Sequence, residues 1–412
     1  MKAIGIDIGT TSVCGVVIDT ESGKVLKSVT KNSEAFIEGT PEWEKIQSVD
    51  KIIDIATGIA EEFVDGDTAV VGVTGQMHGI VYVDADGNAV SPLYTWQDGR
   101  GNFPYKGTTY AGYLGGSTGF GCVTDLYNRE NGIRPENAVS FCTIHDYLVM
   151  KLCGLNKPIV HASDAASFGC FDLEKCEFTN GLELCVTRDF KIAGEYKGIP
   201  VSVAIGDNQA SVYSCAGEGD LLLNFGTGSQ ISAITDRIIK GENIETRPFV
   251  GDKYLLVGAA LCGGRAYSML RSFYSEILGY VGDFDEKTVY GIMDKMLEKE
   301  TTTPIVADTR FAGTRADSSI TGSLSGITTE NFNPSALTRA VLCGMVDELY
   351  NMFAPTGISF SGLVGSGNGI RKNPALVRIA EEKFGMRMTI PEHLEEAAVG
   401  AAMFALEAKA RL

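Results

Sequence analysis

The amino-acid sequence predicts an α/β protein made of two duplicated domains around a central cleft. Three observations support this prediction. The chain has 412 residues, which fits two ordinary domains better than one. Runs typical of β-strands alternate with segments of helical periodicity. A strand, a glycine-threonine turn and a second strand occur at residues 6–12 and again at 223–229, a spacing that suits a duplicated domain.

The first half of the chain opens with strand candidates at 3–8, 13–19 and 25–29, which predict an antiparallel meander. Apolar residues at helical spacing then predict an amphipathic helix over 44–63. An apolar strand at 69–74 follows and ends in a glycine-bearing loop. Loops at strand ends are where functional sites usually lie.

Another strand candidate, 199–205, stops at Gly206 and Asp207 before a predicted helix over 209–216. We place the domain boundary after this helix, so the predicted domains are 1–216 and 217–412. No linker-like segment separates them, and we expect an interface of packed elements with a hinge. The last predicted helix, 395–408, is rich in alanine and is assigned to packing, with no part in the chemistry.

Charge and cysteine content exclude several classes of function. The chain has 35 basic and 52 acidic residues, a net charge of −17, so it repels nucleic acids and anionic membranes. Its ten cysteines are scattered through apolar segments without a C-x-x-C pair, which disfavours zinc and indicates reduced thiols in the cytoplasm. Neither a signal peptide nor a membrane span is expected.

The two glycine-threonine turns are candidate phosphate sites. Glycine lets backbone amides approach an anion, and Thr or Ser adds a hydroxyl donor. One such turn alone is more often a plain hairpin. Two at matching positions favour the phosphate interpretation, although the Walker pattern is absent. The candidate phosphate-binding residues are Thr10, Thr11 and Ser12 in the first turn, and Gly226, Thr227 and Gly228 in the second.

Two aspartates are candidates for the chemistry. Asp207 lies at a strand-to-helix junction, where its carboxylate can act as a base, or alternatively cap the helix. Asp7 lies at the first turn and can hold water on a metal ion. Mg²⁺ prefers few carboxylates together with phosphate oxygens and waters. Asp207 is a second candidate ligand for this ion.

A sugar site is predicted from aromatic and polar residues. The segment 96–100 combines Trp96, Asp98 and Arg100, a mixture that binds the apolar face and the hydroxyls of a sugar. The alternative is an ordinary surface loop. His78 taken singly is more often structural, and His145 is assigned a structural role.

A glycine-rich loop at 362–369, followed by a helix over 375–384, is a candidate surface for adenine or ribose. A lone glycine pattern is weak support for a nucleotide site. The residues assigned to this loop's contact with the nucleotide are Gly365, Ser366, Gly367 and Asn368.

Taken together, these segments resemble the FGGY carbohydrate kinases. DIGTTS at 7–12 is similar to the family's first phosphate motif and FGTGS at 225–229 to its second. VGSGNGIRKNP at 364–374 is similar to its adenosine loop, and GDNQA at 206–210 matches the segment that carries its catalytic aspartate. The resemblance runs from residue 4 nearly to the end of the chain. It implies an actin-like, ribonuclease H-like ATPase fold, ATP and Mg²⁺ as cofactors, and Asp207 as the catalytic base.

Several segments resemble the sedoheptulokinase branch of the family, namely 95–100, 117–124, 143–155 and 206–215. The resemblance implies phosphorylation of a primary hydroxyl of a ketose. It assigns sugar contacts to Gln76, Met77, His78, Trp96, Asp98 and Asp207.

Alternatives within and outside the family stay open. Xylulose or another ketose or polyol is the alternative substrate, whereas QMHG at 76–79 disfavours glycerol. A different class is a non-catalytic, actin-like ATP-binding protein. The chain is shorter than most members of the family, which bears on insertions that help to form oligomers. A homodimer is the assembly that the resemblance suggests.

Overall fold

The structure, a computed structural model, describes residues 1–241, 243–299, 304–314, 317 and 319–412. The chain divides into two compact units. Unit 1 comprises Met1–Ser214, Arg247–Lys253 and Glu395–Leu412, and unit 2 comprises Cys215–Thr246 and Tyr254–Leu394.

The elements of the first part of the chain belong to unit 1. Its strands are β1 Lys2–Ile8, β2 Ser12–Asp19, β3 Val25–Asn32, β4 Ile46–Gln47, β5 Thr68–Gly75, β6 Val81–Val83, β7 Leu93–Tyr94, β8 Pro104–Tyr105, β9 Thr108–Thr109, β10 Ser140–Cys142, β11 Ile159–His161, β12 Phe171–Asp172, β13 Glu177–Phe178, β14 Cys185–Thr187, β15 Ile192–Tyr196, β16 Ile199–Ser202 and β17 Ile205–Gly206. Its helices are α1 Val49–Phe63, α2 Tyr110–Leu114, α3 Gly121–Glu130, α4 Ile144–Cys153, α5 Ala162–Ser167 and α6 Asp207–Cys215, with a 3₁₀ turn at Gly99–Asn102.

A seven-stranded sheet is the frame of unit 1. Its order is β15-β16-β5-β1-β2-β3, and β17 also pairs with β5. The pairs β1/β2 and β2/β3 are antiparallel, as the predicted meander requires, whereas β1 and β17 both run parallel to β5. Carboxyl ends of parallel strands share one edge of a sheet. The chain segments after β1, β5 and β17 therefore leave from the same edge.

The helix predicted over 44–63 begins later than its periodicity indicates. Residues 46–47 pair with β7 as strand β4, and α1 starts only after Ser48. The Ser48 hydroxyl accepts a hydrogen bond from the Lys51 N–H, which caps the helix. A capping side chain and a strand pairing together override the helical pattern of residues 44–47.

Unit 2 contains the remaining elements up to residue 394. They are β18 Asp220–Phe225, β19 Ser229–Thr235, β20 Ile244–Pro248, whose last two residues fall in unit 1, β21 Tyr254–Ala260, α7 Gly263–Gly279, α8 Glu286–Leu297, β22 Val306–Asp308, β23 Ser323–Ser325, α9 Pro334–Phe353, a 3₁₀ turn Ala354–Thr356, β24 Gly362–Ser366, α10 Gly367–Lys372, α11 Pro374–Phe384 and β25 Met388–Thr389.

The sheet of unit 2 repeats the pairing pattern of the first sheet. Its order is β20-β21-β19-β18-β24-β25. β18 pairs antiparallel with β19 and parallel with β24, as β1 does with β2 and β5. Each glycine-threonine turn thus joins the two strands at the equivalent place in its sheet. The long helix α9 contributes many side chains to the core of this unit.

The last helix, α12 (Glu396–Ala410), lies in compact unit 1, whereas the predicted second domain, 217–412, includes it. Its alanines form a core with Ala3, Val16 and Val70 of the first sheet. A Cβ at Gly5 or Gly72 would overlap the backbone of this helix. The small residues on both sides allow close backbone approach, which ties the chain's end to its beginning. None of the described helices is long and apolar enough to cross a membrane.

Candidate active site

Two carboxylates lie at the edge of the unit 1 sheet where β1, β5 and β17 end. Asp7 in β1 is paired with Thr74 of β5, and Gly206, just before Asp207, is paired with Gly75. β5 therefore lies between β1, which carries Asp7, and β17, which directly precedes Asp207. Asp207 is the first residue of α6, and its Oδ1 accepts a hydrogen bond from the Asn208 N–H at 2.7 Å.

The charges of these two aspartates influence each other. Burial, reinforced by the charge of Asp207, raises the pKa of Asp7 to about 7. Burial likewise raises the pKa of Asp207 to about 6, although the nearby His145 favours the ionised form. Asp7 Oδ1 is buried and has no hydrogen-bond partner among the described residues. A buried carboxylate oxygen without a partner beside a second carboxylate is a donor set that suits a hard divalent cation.

A buried charged cluster lies behind these carboxylates, and sequence reasoning did not find it. His145 of α4 and Asp164 of α5 are completely buried, with Nε2 and Oδ1 3.1 Å apart. Burial disfavours the imidazolium, but the charges of Asp164 and Asp146 outweigh it and raise the pKa of His145 to about 8. The structural role expected for His145 therefore involves a charge close to the site. Asp164 carries no sequence signal apart from its type.

The first glycine-threonine turn is connected to the predicted sugar residues. The Trp96 Nε1–H donates to Thr10 Oγ1 at 3.0 Å, and Gln47 Nε2 donates to the Thr10 carbonyl at 2.6 Å. Gln76, which is buried, donates to Gln47 Oε1 at 3.0 Å. Its own Oε1 has no hydrogen-bond partner among the described residues. Gln47 is a member of this group that the sequence did not reveal.

The other two residues of the turn have backbone roles in the structure. The Thr11 carbonyl accepts a hydrogen bond from the Ser33 N–H at 2.9 Å, and Ser12 opens strand β2 opposite Asn32. Phosphate contacts of Thr10, Thr11 and Ser12 stay a prediction.

Met77 and His78 follow β5 directly. A Cβ at Gly206 would lie 2.6 Å from Met77 Sδ, so Met77 packs against the residue that precedes Asp207. His78 has a backbone φ of 74°, a conformation that few side chains adopt, and its ring stacks on Phe120 at 4.6 Å. Strained residues of this kind concentrate at functional sites. Trp96 is 45% exposed, which leaves its ring available to a ligand.

Asp98 does not fit the predicted sugar contact. It is completely buried, and its two oxygens accept hydrogen bonds from Lys45 N–H and from the backbone and guanidinium of Arg100. Arg100 is also buried, over the ring of Tyr94. This ion pair holds the loop that presents Trp96. We therefore correct the assignment of Asp98 from a sugar contact to a support of that loop.

In unit 2, the turn between β18 and β19 lies against the start of α7. The Gly264 N–H donates to the Gly226 carbonyl and the Arg265 N–H to the Thr227 carbonyl, both at 2.9 Å. A Cβ at Gly263 would lie 2.5 Å from the carbonyl carbon of Gly228. The glycine pair at 263–264 is thus required for this contact, and it is a signal that the sequence displays.

A cavity of about 770 Å³ lies beside this turn. It brings together Gly226, Thr227 and Asn368, which were assigned to the nucleotide from separate parts of the sequence. Tyr267 and Tyr290, whose rings stack at 5.7 Å, add an aromatic wall that was not predicted. The other described lining residues are Gly264, Arg265, Ser268, Glu286, Lys287, Asp294, Leu342, Met345, Gly369, Lys372, Asn373 and Leu376.

Four of the nucleotide-binding residues predicted in unit 2 are outside this lining. Gly365 packs against Met388, and Ser366 is buried with its hydroxyl accepting from Asn224 Nδ2 at 2.7 Å. Gly367, with φ of 82°, lies against the backbone of Phe225. Gly228 lies under α7. Within the described residues, these four shape the backbone around the cavity, and their contacts with a nucleotide stay a prediction.

Comparisons with known proteins agree with the motifs. Residues 2–103 match the N-terminal domain and residues 222–408 the C-terminal domain of the FGGY family of carbohydrate kinases. Sedoheptulokinases of Mus musculus and Homo sapiens are 28% and 29% identical to the chain, over 98% of this chain and 97% of each relative.

A solved structure supports the fold. Xylulose kinase from Rhodospirillum rubrum superposes with a TM-score of 0.86 at 18% identity, covering 98% of this chain and 89% of that one. This likeness confirms the predicted two-domain, actin-like α/β architecture. The chain belongs to the FGGY family of carbohydrate kinases and is an ATP-dependent sugar kinase.

Proposed function

We propose that this enzyme phosphorylates a primary hydroxyl of a ketose, and that sedoheptulose is its substrate. The similarity to two sedoheptulokinases over almost the whole chain supports the choice of sugar. The observation that carries the reaction is the carboxylate of Asp207 at the end of β17, with Met77 packed on the preceding residue and Asp7 on the other side of β5.

Asp207 is the proposed general base. It accepts the proton of the sugar hydroxyl while that oxygen forms a bond to the γ-phosphorus of ATP and ADP leaves. Burial keeps its pKa near 6, so the group is ionised at neutral pH and still basic enough to take a proton. The backbone of Asp207 is held by β17 on one side and by α6 on the other.

Mg²⁺ is the proposed cofactor. Asp7, through water, and Asp207 are the residues of unit 1 that would hold it, since the unpartnered oxygen of Asp7 fits a hard cation. When bound, such an ion neutralises charge on the phosphate oxygens. The pKa of about 7 for Asp7 describes the carboxyl without that charge nearby.

The sugar contacts that we propose in unit 1 are Gln76, Met77, His78 and Trp96. The unpartnered Oε1 of Gln76 can accept a hydrogen bond from a hydroxyl, and the exposed face of Trp96 can cover carbon-bound hydrogens. Buried polar groups reject an analogue that lacks their partner hydroxyl by up to about 10⁴-fold to 10⁵-fold. Selection among ketoses is therefore expected to depend on these polar groups.

ATP is proposed to bind unit 2 along the 770 Å³ cavity. The amides and hydroxyl of the turn that contains Thr227 suit phosphate oxygens, and the tyrosines near Asn368 suit the base. We place the enzyme in the cytoplasm, since all ten cysteines are free thiols, as a reducing compartment maintains them. A homodimer stays a prediction, tested by light scattering against the chain mass of 44.0 kDa.

The experiment that tests this function is an ADP-release assay with Mg-ATP and separate sugars: sedoheptulose, xylulose, ribulose, fructose and glycerol. We expect selective turnover of sedoheptulose, and a loss of about 10²-fold to 10⁴-fold in Asp207→Asn with ATP affinity unchanged. Asp19→Asn is the control, because Asp19 ends strand β2 away from the proposed site and its carboxylate accepts a hydrogen bond from the Ser22 N–H.

The outcomes separate the parts of the proposal. Preference for xylulose would change the proposed substrate and leave the proposed reaction unchanged. Normal turnover in Asp207→Asn would remove Asp207 from the mechanism. ATP binding without turnover of any sugar would favour a different acceptor or the non-catalytic class.

A further inference from the structure

The short helix α5 (Ala162–Ser167) contacts the backbone of two separate site segments. Ser163, which is 1% exposed, has its hydroxyl oxygen 3.1 Å from the Gly206 N–H, which donates to it. Gly206 immediately precedes Asp207. This hydrogen bond holds the peptide from which the Asp207 side chain starts.

The orientation of the Ser163 hydroxyl is set by His161. The Nε2–H of His161 donates to the Arg188 carbonyl at 3.3 Å, which leaves Nδ1 as an acceptor. Nδ1 lies 2.8 Å from Ser163 Oγ and 3.2 Å from the Ser163 N–H. His161 Nδ1 is the nearer acceptor for the hydroxyl proton, since Asp164 Oδ2 lies at 3.4 Å, and with either acceptor the oxygen keeps a lone pair for the Gly206 N–H.

The other end of α5 holds His78. Ser167 Oγ accepts a hydrogen bond from the His78 N–H at 3.0 Å and donates to the Asp164 carbonyl at 2.8 Å. The Ser167 carbonyl lies 2.8 Å from His78 Nδ1. The Ser167 hydroxyl thus holds the backbone of His78, and the Ser167 carbonyl contacts its ring together with Phe120.

α5 is itself anchored in the interior. Asp164, between the two serines, faces His145 of α4, with Nε2 and Oδ1 3.1 Å apart and no exposed surface on either side chain. Removing one partner of a buried ion pair leaves an uncompensated buried charge, which strongly destabilises the protein. The pair therefore holds α5 in one position.

We infer that α5 is a positioning element, in which Ser163 positions the base Asp207 and Ser167 positions the sugar contact His78. The inference rests on the proposed function of those two residues. The two serines are expected to have different effects: disturbing Ser163 changes the geometry of proton acceptance, whereas disturbing Ser167 changes the geometry of sugar binding.

The kinetic test uses Ser163→Ala and Ser167→Ala, with Ser22→Ala as the exposed control. Ser163→Ala leaves a buried N–H without its acceptor, and we expect kcat to fall about tenfold with KM for sugar and ATP within about twofold. Ser167→Ala is expected to raise KM for the sugar about tenfold with kcat within about twofold.

A double-mutant cycle distinguishes positioning from general destabilisation. In the Asp207→Asn background, Ser163→Ala should change the residual turnover by less than about twofold, because its effect acts through Asp207. An equal loss in both backgrounds, or a parallel loss from both serine variants in kcat, would overturn the inference.

Hydrogen exchange of the backbone amides gives a readout without activity. The Gly206 amide should lose protection in Ser163→Ala, and the His78 amide in Ser167→Ala, with α1 and α9 unchanged. If the Gly206 and His78 amides kept their protection in these variants, the two serine hydroxyls would not hold those segments, and the inference would be overturned whatever the kinetics show. If the native enzyme turned over none of the sugars, the proposed function would fail, while this measurement would still decide whether α5 holds both segments.

Discussion

Asp207 must be ionised to accept a proton, and its surroundings bring its titration close to physiological pH. Burial raises its pKa to about 6, with His145 acting in the opposite direction. We therefore predict that kcat/KM rises with pH up to about 6 and then levels, falling about tenfold per pH unit on the acid side. Stopped assays from pH 5 to 8 in constant Mg-ATP measure this limb. The residual activity of Asp207→Asn should lack it.

The ionised carboxylate of Asp7 lowers the stability of the folded state, because burial disfavours its charge. Its folded pKa of about 7 is above the ordinary value of 3.8, so the folded state binds the proton more tightly than the unfolded state. The stabilisation is complete below about pH 4 and is lost as pH rises through 7. We expect the free energy of unfolding of Asp7→Asn to exceed that of the native protein at pH 8 by on the order of 4 kcal/mol, because the pKa of Asp7 rises from 3.8 to about 7 and each unit corresponds to about 1.4 kcal/mol.

The comparison is made in metal-free buffer by thermal unfolding. Below about pH 4 the two proteins should be similar, because Asp7 is then protonated in both the folded and the unfolded state. Asp19, whose pKa is lowered by its hydrogen bonds with Ser22, is the matched control, and Asp19→Asn should bring no gain at pH 8. If the native protein and Asp7→Asn were equally stable at pH 8, that result would contradict the argument that burial raises the pKa of Asp7.

At the scale of elements, the contact between α7 and the second turn depends on two glycines. A Cβ at Gly264 would lie 2.5 Å from the Gly226 carbonyl oxygen, and this backbone cannot give way without moving the turn. We predict that Gly264→Ala weakens ATP binding about tenfold or more, because the turn amides lose their alignment. Isothermal titration with ATP measures the change.

Gly279, in the same helix, has open space around its Cβ position and is the control. Gly279→Ala should bind ATP normally. An unchanged affinity in Gly264→Ala would mean that this turn does not contact the nucleotide.

At the scale of the whole molecule, the last helix of the chain, α12, packs on the first sheet. Gly72 of β5 lies against Ala401 of α12 so closely that a Cβ would overlap its carbonyl. We predict that Gly72→Ala lowers the free energy of unfolding by roughly 1 to 3 kcal/mol or more, as overpacking of a core does. Urea unfolding followed by far-UV circular dichroism detects this loss.

Gly58→Ala in α1 is the matched control, since nothing lies within 4 Å of its Cβ position. It should be neutral or stabilising by roughly 1 kcal/mol, the difference in helix propensity. Equal stability of the two variants would show that α12 does not pack tightly on β5.

Much of the architecture was predictable because its signals are local. The alternation of apolar runs indicated the strands, and two similar turns indicated the duplication that the sheets display. The family motifs placed Asp7 and Asp207 near each other, and the parallel pairing of β1 and β17 with β5 agrees with that placement.

Burial and long-range pairing were decided by the tertiary structure alone. Asp98 looks like a ligand in sequence, yet its partners Lys45 and Arg100 occupy both oxygens. The ion pair of His145 with Asp164 joins two helices. The domain membership of α12 depends on glycines more than 300 positions away.

The sequence by itself thus determined the class of fold, the family and the residue types available for phosphoryl transfer to a sugar. Only the tertiary structure decided which of those side chains stay accessible and which become supports. The reason is physical: a residue's type states what it can bond, but hydrogen-bonding capacity is used up by neighbours that the fold brings close from distant parts of the chain.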